Sequence, residues 1–377
     1  SNSSKKIYID AHGGLVTLYA FTTHTFTNCG ATGRNGPTLS QCTSSYGGSG
    51  NWWNNTSYFN VTGVSGVNGI QVWTVPKTGN YTITAKGARE GWAAADGGTG
   101  EGAIVEATFS LTKGDKYMIL VGQMGSAGTW SGGGWYASGG GGGTFMVKGG
   151  EGSLDYQNIT LSDALIVAGG GGGSSAGSSG PTSGNTGEDG INSSSNTTSG
   201  GQNSNISSTN GGGGGGGLIG DGAHSGRGRS FTNGGQGGTS AHTDPSGRGG
   251  FGGGAGAGGN PGGGGGGIFG GDWGYSGVGT HSTYNKGGRG GGSHVNSSGS
   301  SITFSTSTNN SHGELIIEAV YGGIAEADHE TRGGDALIYG DQATAAHTLS
   351  FNAGVTIKKT STSAGTLNVE DNLVVDG

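Results

Sequence analysis

Proline, cysteine and charge are all scarce in this chain. Five prolines in 377 residues, with no glycine at every third place, exclude a collagen triple helix. Lysine and arginine number 17 against 24 acidic residues, a net charge of −7, which argues against a basic nucleic-acid binder. No apolar run approaches the roughly 18–20 residues of a membrane-spanning helix, so no membrane span is expected. Hydrophobic residues reach only 29%, against nearly one half in ordinary domains. What is abundant is glycine: 95 residues, about a quarter of the chain and several times the usual share. Composition alone would equally fit a flexible linker, so order has to be argued segment by segment.

The two cysteines are Cys29 and Cys42. A bond between them would close a loop of about 14 residues and add roughly 3 kcal/mol on chain-entropy grounds; two free thiols are the alternative. A bonded pair would point to an extracellular or virion-surface setting. The chain starts at Ser1 and stops just after Leu373-Val374-Val375, as expected of a product with neighbours missing at both ends.

Several segments alternate with the period of a strand. Ala103, Val105, Ala107, Phe109 and Leu111 share one face; so do Tyr81, Ile83 and Ala85, and Leu315, Ile317 and Ala319. Tyr117–Val121 is apolar throughout and reads as a central strand. The intervening Leu111–Lys116 contains Gly114 and reads as a hairpin loop. No stretch joins helical periodicity, caps and helix formers, so the ordered part is expected to be all-β.

The glycines fall in runs: Gly139–Gly143, Gly169–Gly173, Gly211–Gly217, an interrupted Gly249–Gly259 and Gly262–Gly267. Several adjoin apolar anchors, among them Phe145, Leu165, Leu218 and Ile268, which a linker would not need. Extended helices with three residues per turn could use such runs. Only glycine lets them pack axis to axis with backbone groups bonded between them. The organisation expected is an N-terminal β segment over 1–20 and a β-sandwich from 21–173 and 301–320. A glycine-rich bundle over 174–300 and a β-rich tail over 321–377 complete it.

From Phe26 onward the motifs fall in a recognisable order. Phe26-Thr-Asn-Cys29-Gly-Ala-Thr-Gly-Arg-Asn-Gly-Pro37 and Gln41-Cys42 come first. Gly69-Ile-Gln-Val-Trp-Thr-Val-Pro76, Tyr81-Thr-Ile83 and Ile119-Leu-Val-Gly-Gln123 follow. Leu165-Ile-Val-Ala-Gly169, Arg248-Gly-Gly-Phe-Gly252 and His312-Gly-Glu-Leu315 close the series. This succession, covering about Phe21–Val320, resembles the glycine-rich ectodomain of anaplastic lymphoma kinase and leukocyte tyrosine kinase. Similar modules occur in tail-fibre and structural proteins of phages, notably those of cyanobacteria. The resemblance implies a tumour-necrosis-factor-like β-sandwich with an inserted bundle of glycine-rich polyproline-II helices, and the two cysteines paired. The chain departs from the receptors in lacking further cysteines in the glycine-rich part. The receptors' cytokine binding is therefore not carried over.

Chemistry is hard to find. Gly-x-Gly-x-x-Gly matches are expected about six times by chance at this glycine content and carry no nucleotide signal. Gly173-Ser-Ser-Ala-Gly177 fits the nucleophile-elbow pattern but has no helix formers after it. The nine histidines are scattered, with no zinc-ligand spacing. Neither an enzyme activity nor a cofactor or metal is expected.

The remaining signal is aromatic. Trp52, Trp53, Tyr58, Trp130, Trp135, Trp273 and Tyr275 sit in glycine-flanked text, where rings either pin the glycine segments or recognise sugar and protein. Trp130, Trp135, Trp273 and Tyr275, beside glycine runs, are the candidate surface-recognition residues. Ile7 and Ile9 near one end, and Leu367, Val369, Leu373 and Val375 near the other, are candidate assembly residues. The expected role is a non-enzymatic surface protein, a phage tail-fibre or adhesin component contacting host glycan or protein. The alternative is a filament subunit whose terminal strands complete a neighbour's sheet. Either predicts a homo-oligomer.

Overall fold

The computed structural model describes residues 17–47, 50–64, 66–91, 100–128, 137–149, 156, 158–175, 201, 212–240, 247–258, 261–272, 274 and 287–320, with the backbone of 338–341 and 348–351. The strands are β1 (Thr23–Phe26), β2 (Phe59–Val64), β3 (Val67–Thr74), β4 (Gly79–Lys86), β5 (Ile104–Leu111), β6 (Lys116–Leu120) and β7 (Thr144–Lys148). After them come β8 (Ala164–Ala168), β9 (His294–Val295), β10 (Ser300–Phe304) and β11 (Glu314–Val320). They form two antiparallel sheets, ordered β1-β11-β4-β5-β10 and β2-β3-β6-β7-β8-β9. β12 (Ile338–Asp341) and β13 (Thr348–Phe351) make a separate antiparallel pair.

The alternating segments fold as their pattern dictates. Tyr81, Ile83 and Ala85 on β4, Val105, Ala107 and Phe109 on β5, and Leu315 and Ile317 on β11 are buried against Trp73, Tyr117, Ile119, Met146 and Ile166 of the second sheet. Outward residues of the first sheet pair across strands, as in Thr82 with Thr108 and Lys86 with Glu314. The second sheet is covered on both faces. Its other side carries Ile70, Val72, Met118, Leu120, Phe145 and Val167, packed against Leu218, Phe231, Phe251 and Ile268 of the glycine-rich segments. That is why β6 and β8 are apolar at nearly every position. It also explains the anchors beside the glycine runs: they dock the runs onto the sheet.

Leu111–Lys116 does not make a hairpin. Both edges of β5 are already taken, by β4 and β10, so β6 cannot pair with it. The loop crosses to the other sheet instead, tied by Gly114 N to Val75 O and Val75 N to Asp115 O, both 2.9 Å. A second departure is the helix α1 (Leu39–Ser45), where the sequence pattern predicts none.

The glycine runs repeat their surroundings every third residue. Backbone N–H groups of Gly139 and Gly142 donate to Ser126 and Gln123, those of Gly140 and Gly143 to Ala255 and Gly252, and that of Gly141 to Gly171. Gly213 and Gly216 likewise donate to Gly256 and Gly253. The α-hydrogens follow the same rule. A methyl carbon on Gly169 or Gly172 would strike residues 288–292, and on Gly170 or Gly173 residues 138–142. Each segment is wedged among several others, its N–H groups bonded mostly to backbone carbonyls of other segments and in a few cases to side chains, as Gly169 N to Ser293 Oγ.

Candidate recognition surface

Within residues 17–59, aromatic side chains from β1, the segment after α1 and the start of β2 gather in one cluster. Thr38 caps α1: its hydroxyl accepts from Gln41 N, and Gln41 Oε1 accepts from Thr38 N at 2.8 Å. This capping box starts a helix whose one buried residue is Cys42. Cys42 is bonded to Cys29, with Cα atoms 4.8 Å apart. Tyr46, just after the helix, ties the loop to the second sheet. Its hydroxyl donates to Gln71 Oε1 at 2.6 Å and accepts from Thr27 N at 3.0 Å. Burial pushes the Tyr46 phenol up to about 12, against the opposing hydrogen bonds from Thr27 and Gln71.

Around this brace lies a continuous group of rings. Tyr19 stacks on Trp52 at 5.1 Å and touches Tyr58 at 4.8 Å. Trp52 and Trp53 meet edge to face at 5.4 Å. His24 is set among Phe26, Tyr46, Trp52 and Trp53, at 4.6, 4.5, 4.9 and 5.4 Å. Among the described residues its buried Nε2 has no hydrogen-bond partner, and burial lowers its pKa to about 4. His24 is thus a neutral ring serving the cluster. Phe26 and Phe59 are fully enclosed, while Tyr19, Trp52, Trp53 and Tyr58 remain partly exposed. They present a ring-edged surface backed by a rigid core. Beside it is a shallow depression of about 450 Å³ lined by Cys29, Thr38, Ser40, Gln41, Ser44 and Ser45.

A second polar cluster lies within the glycine segments. Glu90 is fully buried and accepts from Ser138 Oγ, Ser174 N and Gly100 N. Burial lifts its pKa to about 7 in spite of these bonds. Ser174 belongs to the nucleophile-elbow pattern. Its hydroxyl lies 3.1 Å from that of Ser138, and its N–H groups with Glu90 and Ser138. Both serines are buried, and the arrangement joins three chain segments.

Trp130, Trp135, Trp273 and Tyr275 lie outside the described residues, as do Ile7, Ile9, Leu367, Val369, Leu373 and Val375. The rings that the structure does bring together are Trp52, Trp53 and Tyr58, with Tyr19, His24 and Tyr46 added. The last three carry no signal of their own in the sequence, because their meeting depends on how β1 and α1 are placed. Among the described residues no group of three or more histidine, cysteine or acidic side chains is arranged to hold a metal ion. Nor is any helix there long and apolar enough to cross a membrane.

Over 102 residues, 26% of its length, the chain is 41% identical to the leukocyte tyrosine kinase receptor of Mus musculus. The chain covers 11% of that receptor. No family model matches the chain. The resemblance to the receptor pair is therefore supported by a direct alignment. The resemblance to phage tail-fibre proteins rests on the motifs alone.

Proposed function

We propose that this chain is a non-enzymatic, extracellular recognition or adhesion module, and that its setting is a phage fibre or adhesin contacting a host surface. The observation that carries the reading is the partly exposed ring surface of Tyr19, Trp52, Trp53 and Tyr58, held by the Cys29–Cys42 loop. Flat rings with a polar edge are the usual means of gripping sugars and protein loops. Similarity to a receptor over a quarter of the chain supports an outside location, and a disulfide suits it.

Binding to a panel of immobilised glycans and to host cells, followed for wild type, Trp53→Ala and Tyr58→Ala, tests this. Loss of about tenfold in affinity is expected for each variant, the scale of a lost aromatic anchor, measured below the melting temperature of each variant, since Trp53 also packs against the core. Unchanged binding in both variants would remove the ring surface from the proposal.

A further inference from the structure

The ring surface sits in the least charged part of the chain. Residues 17–76 contain one formally charged side chain, Arg34, and its Nε is bonded to Gly237 O at 2.7 Å. His24, among the rings, is held neutral by burial. The adjoining strands bring one charge of each sign, Glu318 opposite Thr23 and Lys116 opposite Thr74. Within Asn51–Tyr58 every residue that is not aromatic is an exposed amide or hydroxyl: Asn51, Asn54, Asn55, Thr56 and Ser57. The large aliphatic residues that stand open among the described residues, Ile219, Ile302 and Val320, belong to other segments.

We propose that Tyr19, Trp52, Trp53 and Tyr58 bind the end or branch of a neutral glycan, whose pyranose units carry hydroxyls and no charged group. The inference rests on this ring surface being the recognition site. A sugar has carbon–hydrogen faces that suit aromatic rings and a rim of hydroxyls that suits short polar groups. Both kinds of group are present in one strip. The polar edges of two rings are spent inside the protein: Trp53 Nε1 donates to Gly47 O at 3.1 Å, and the Tyr19 hydroxyl donates to Thr74 O. Those rings are thereby fixed and offer carbon surface. Among the described residues the Trp52 indole N–H and the Tyr58 hydroxyl have no hydrogen-bond partner, so they remain to meet sugar hydroxyls. Neighbouring ring centres lie 4.8, 5.1 and 5.4 Å apart, and Trp52 and Trp53 meet at 75°. Such a corner fits a chain end; a flat polysaccharide sheet would call for coplanar rings.

Other occupants fit less well. A carboxylate or sulfate drawn onto these rings would lose water, with no cation from the strip to replace it. A protein partner is usually anchored by arginine and by a well-packed apolar centre. The strip Asn51–Tyr58 has neither an arginine nor an aliphatic side chain, and amides interrupt its rings. A membrane surface would call for basic residues beside the rings, and the strip has none.

Calorimetry with cellohexaose, maltohexaose and mannohexaose as neutral probes, and oligogalacturonate as the acidic one, tests this at about 0.15 M and about 1 M salt. Wild type should bind at least one neutral probe, more tightly than oligogalacturonate and equally at both salts. Tyr58→Ala should weaken that binding about tenfold. Thr56→Lys and Thr56→Glu, at an exposed position beside the rings, should affect it equally, because an uncharged ligand does not feel their sign. Tighter and salt-sensitive binding of oligogalacturonate, or opposite shifts from Thr56→Lys and Thr56→Glu, would overturn the neutral assignment and leave the recognition surface standing. A neutral probe bound equally by wild type and Tyr58→Ala would place the sugar elsewhere and overturn the site. If no glycan binds while Tyr58→Ala still loses attachment to host cells, the glycan is overturned and the surface meets a protein. If no glycan binds and Tyr58→Ala attaches as wild type, the glycan and the recognition surface fall together.

Discussion

His24 and Glu90 are opposite responses to the same burial. His24 is held neutral, with its pKa down at about 4. As pH falls through 6.5 the unfolded chain takes up that proton first, and stability is lost until about pH 4. Glu90 is held protonated, with its pKa up at about 7. As pH rises past 4.5 the unfolded chain ionises first, and stability is lost until about pH 7. The two slopes oppose each other where they overlap. A tenfold change in proton affinity on folding is worth about 1.4 kcal/mol. Glu90→Gln should therefore gain on wild type by about 3 kcal/mol between pH 4.5 and 7, read from urea unfolding at several pH values. His24→Phe should gain on wild type in the other direction, as pH drops from 6.5 to 4. A difference curve for Glu90→Gln that is flat with pH would mean the carboxyl is solvated.

At the scale of elements, the glycine runs and the glycine turns should behave differently. A methyl carbon on Gly142 would lie 1.7 Å from Phe251 O, a backbone atom that cannot move aside. Gly114 has open space around it but a φ of +86°. Gly142→Ala should prevent folding or cost several kcal/mol, as overpacking does at its worst. Gly114→Ala should cost only about 1–2 kcal/mol, the strain of a left-handed residue with a Cβ. Thermal melts of the two variants check the contrast. The strands were legible in the sequence, because Tyr81-x-Ile83-x-Ala85 and its counterparts alternate with one face in the core. The anchors were legible too, since Leu218 and Ile268 stand out against glycine. What the sequence concealed was pairing. Nothing in Leu111–Lys116 reveals that β5 has no free edge. The helix α1 was concealed by its seven residues, which are too few for a periodic pattern, although Thr38-x-x-Gln41 is a capping box in plain text. The site was legible only in its residue types: Trp52 and Trp53 are adjacent by sequence, but the stacking of Trp52 on Tyr19 and the contacts of both with His24 depend on the fold.

At the scale of the whole molecule, the proposal of a homo-oligomer rests on the chain's two ends. Ile7 and Ile9 precede the sandwich, and Leu367, Val369, Leu373 and Val375 follow it. Short apolar segments at the ends of a chain call for a partner to cover them if they form strands, and a second copy would supply one. Light scattering at micromolar concentration should give an oligomer for the intact chain and a monomer after removal of residues 321–377. A monomeric intact chain would end both the fibre and the filament readings. Closed symmetry would favour the fibre, and open head-to-tail contacts the filament.

A run such as Gly139–Gly143 can change length only by whole residues, through gain or loss of codons. The threefold repeat of neighbours filters those accidents. One codon gained or lost shifts every later glycine to the wrong neighbour and misaims the anchor that follows, as Phe145 follows Gly143. Three codons gained or lost restore the phase. Inheritable length changes in these runs should therefore come in steps of three residues, a reading frame of packing laid over the reading frame of translation.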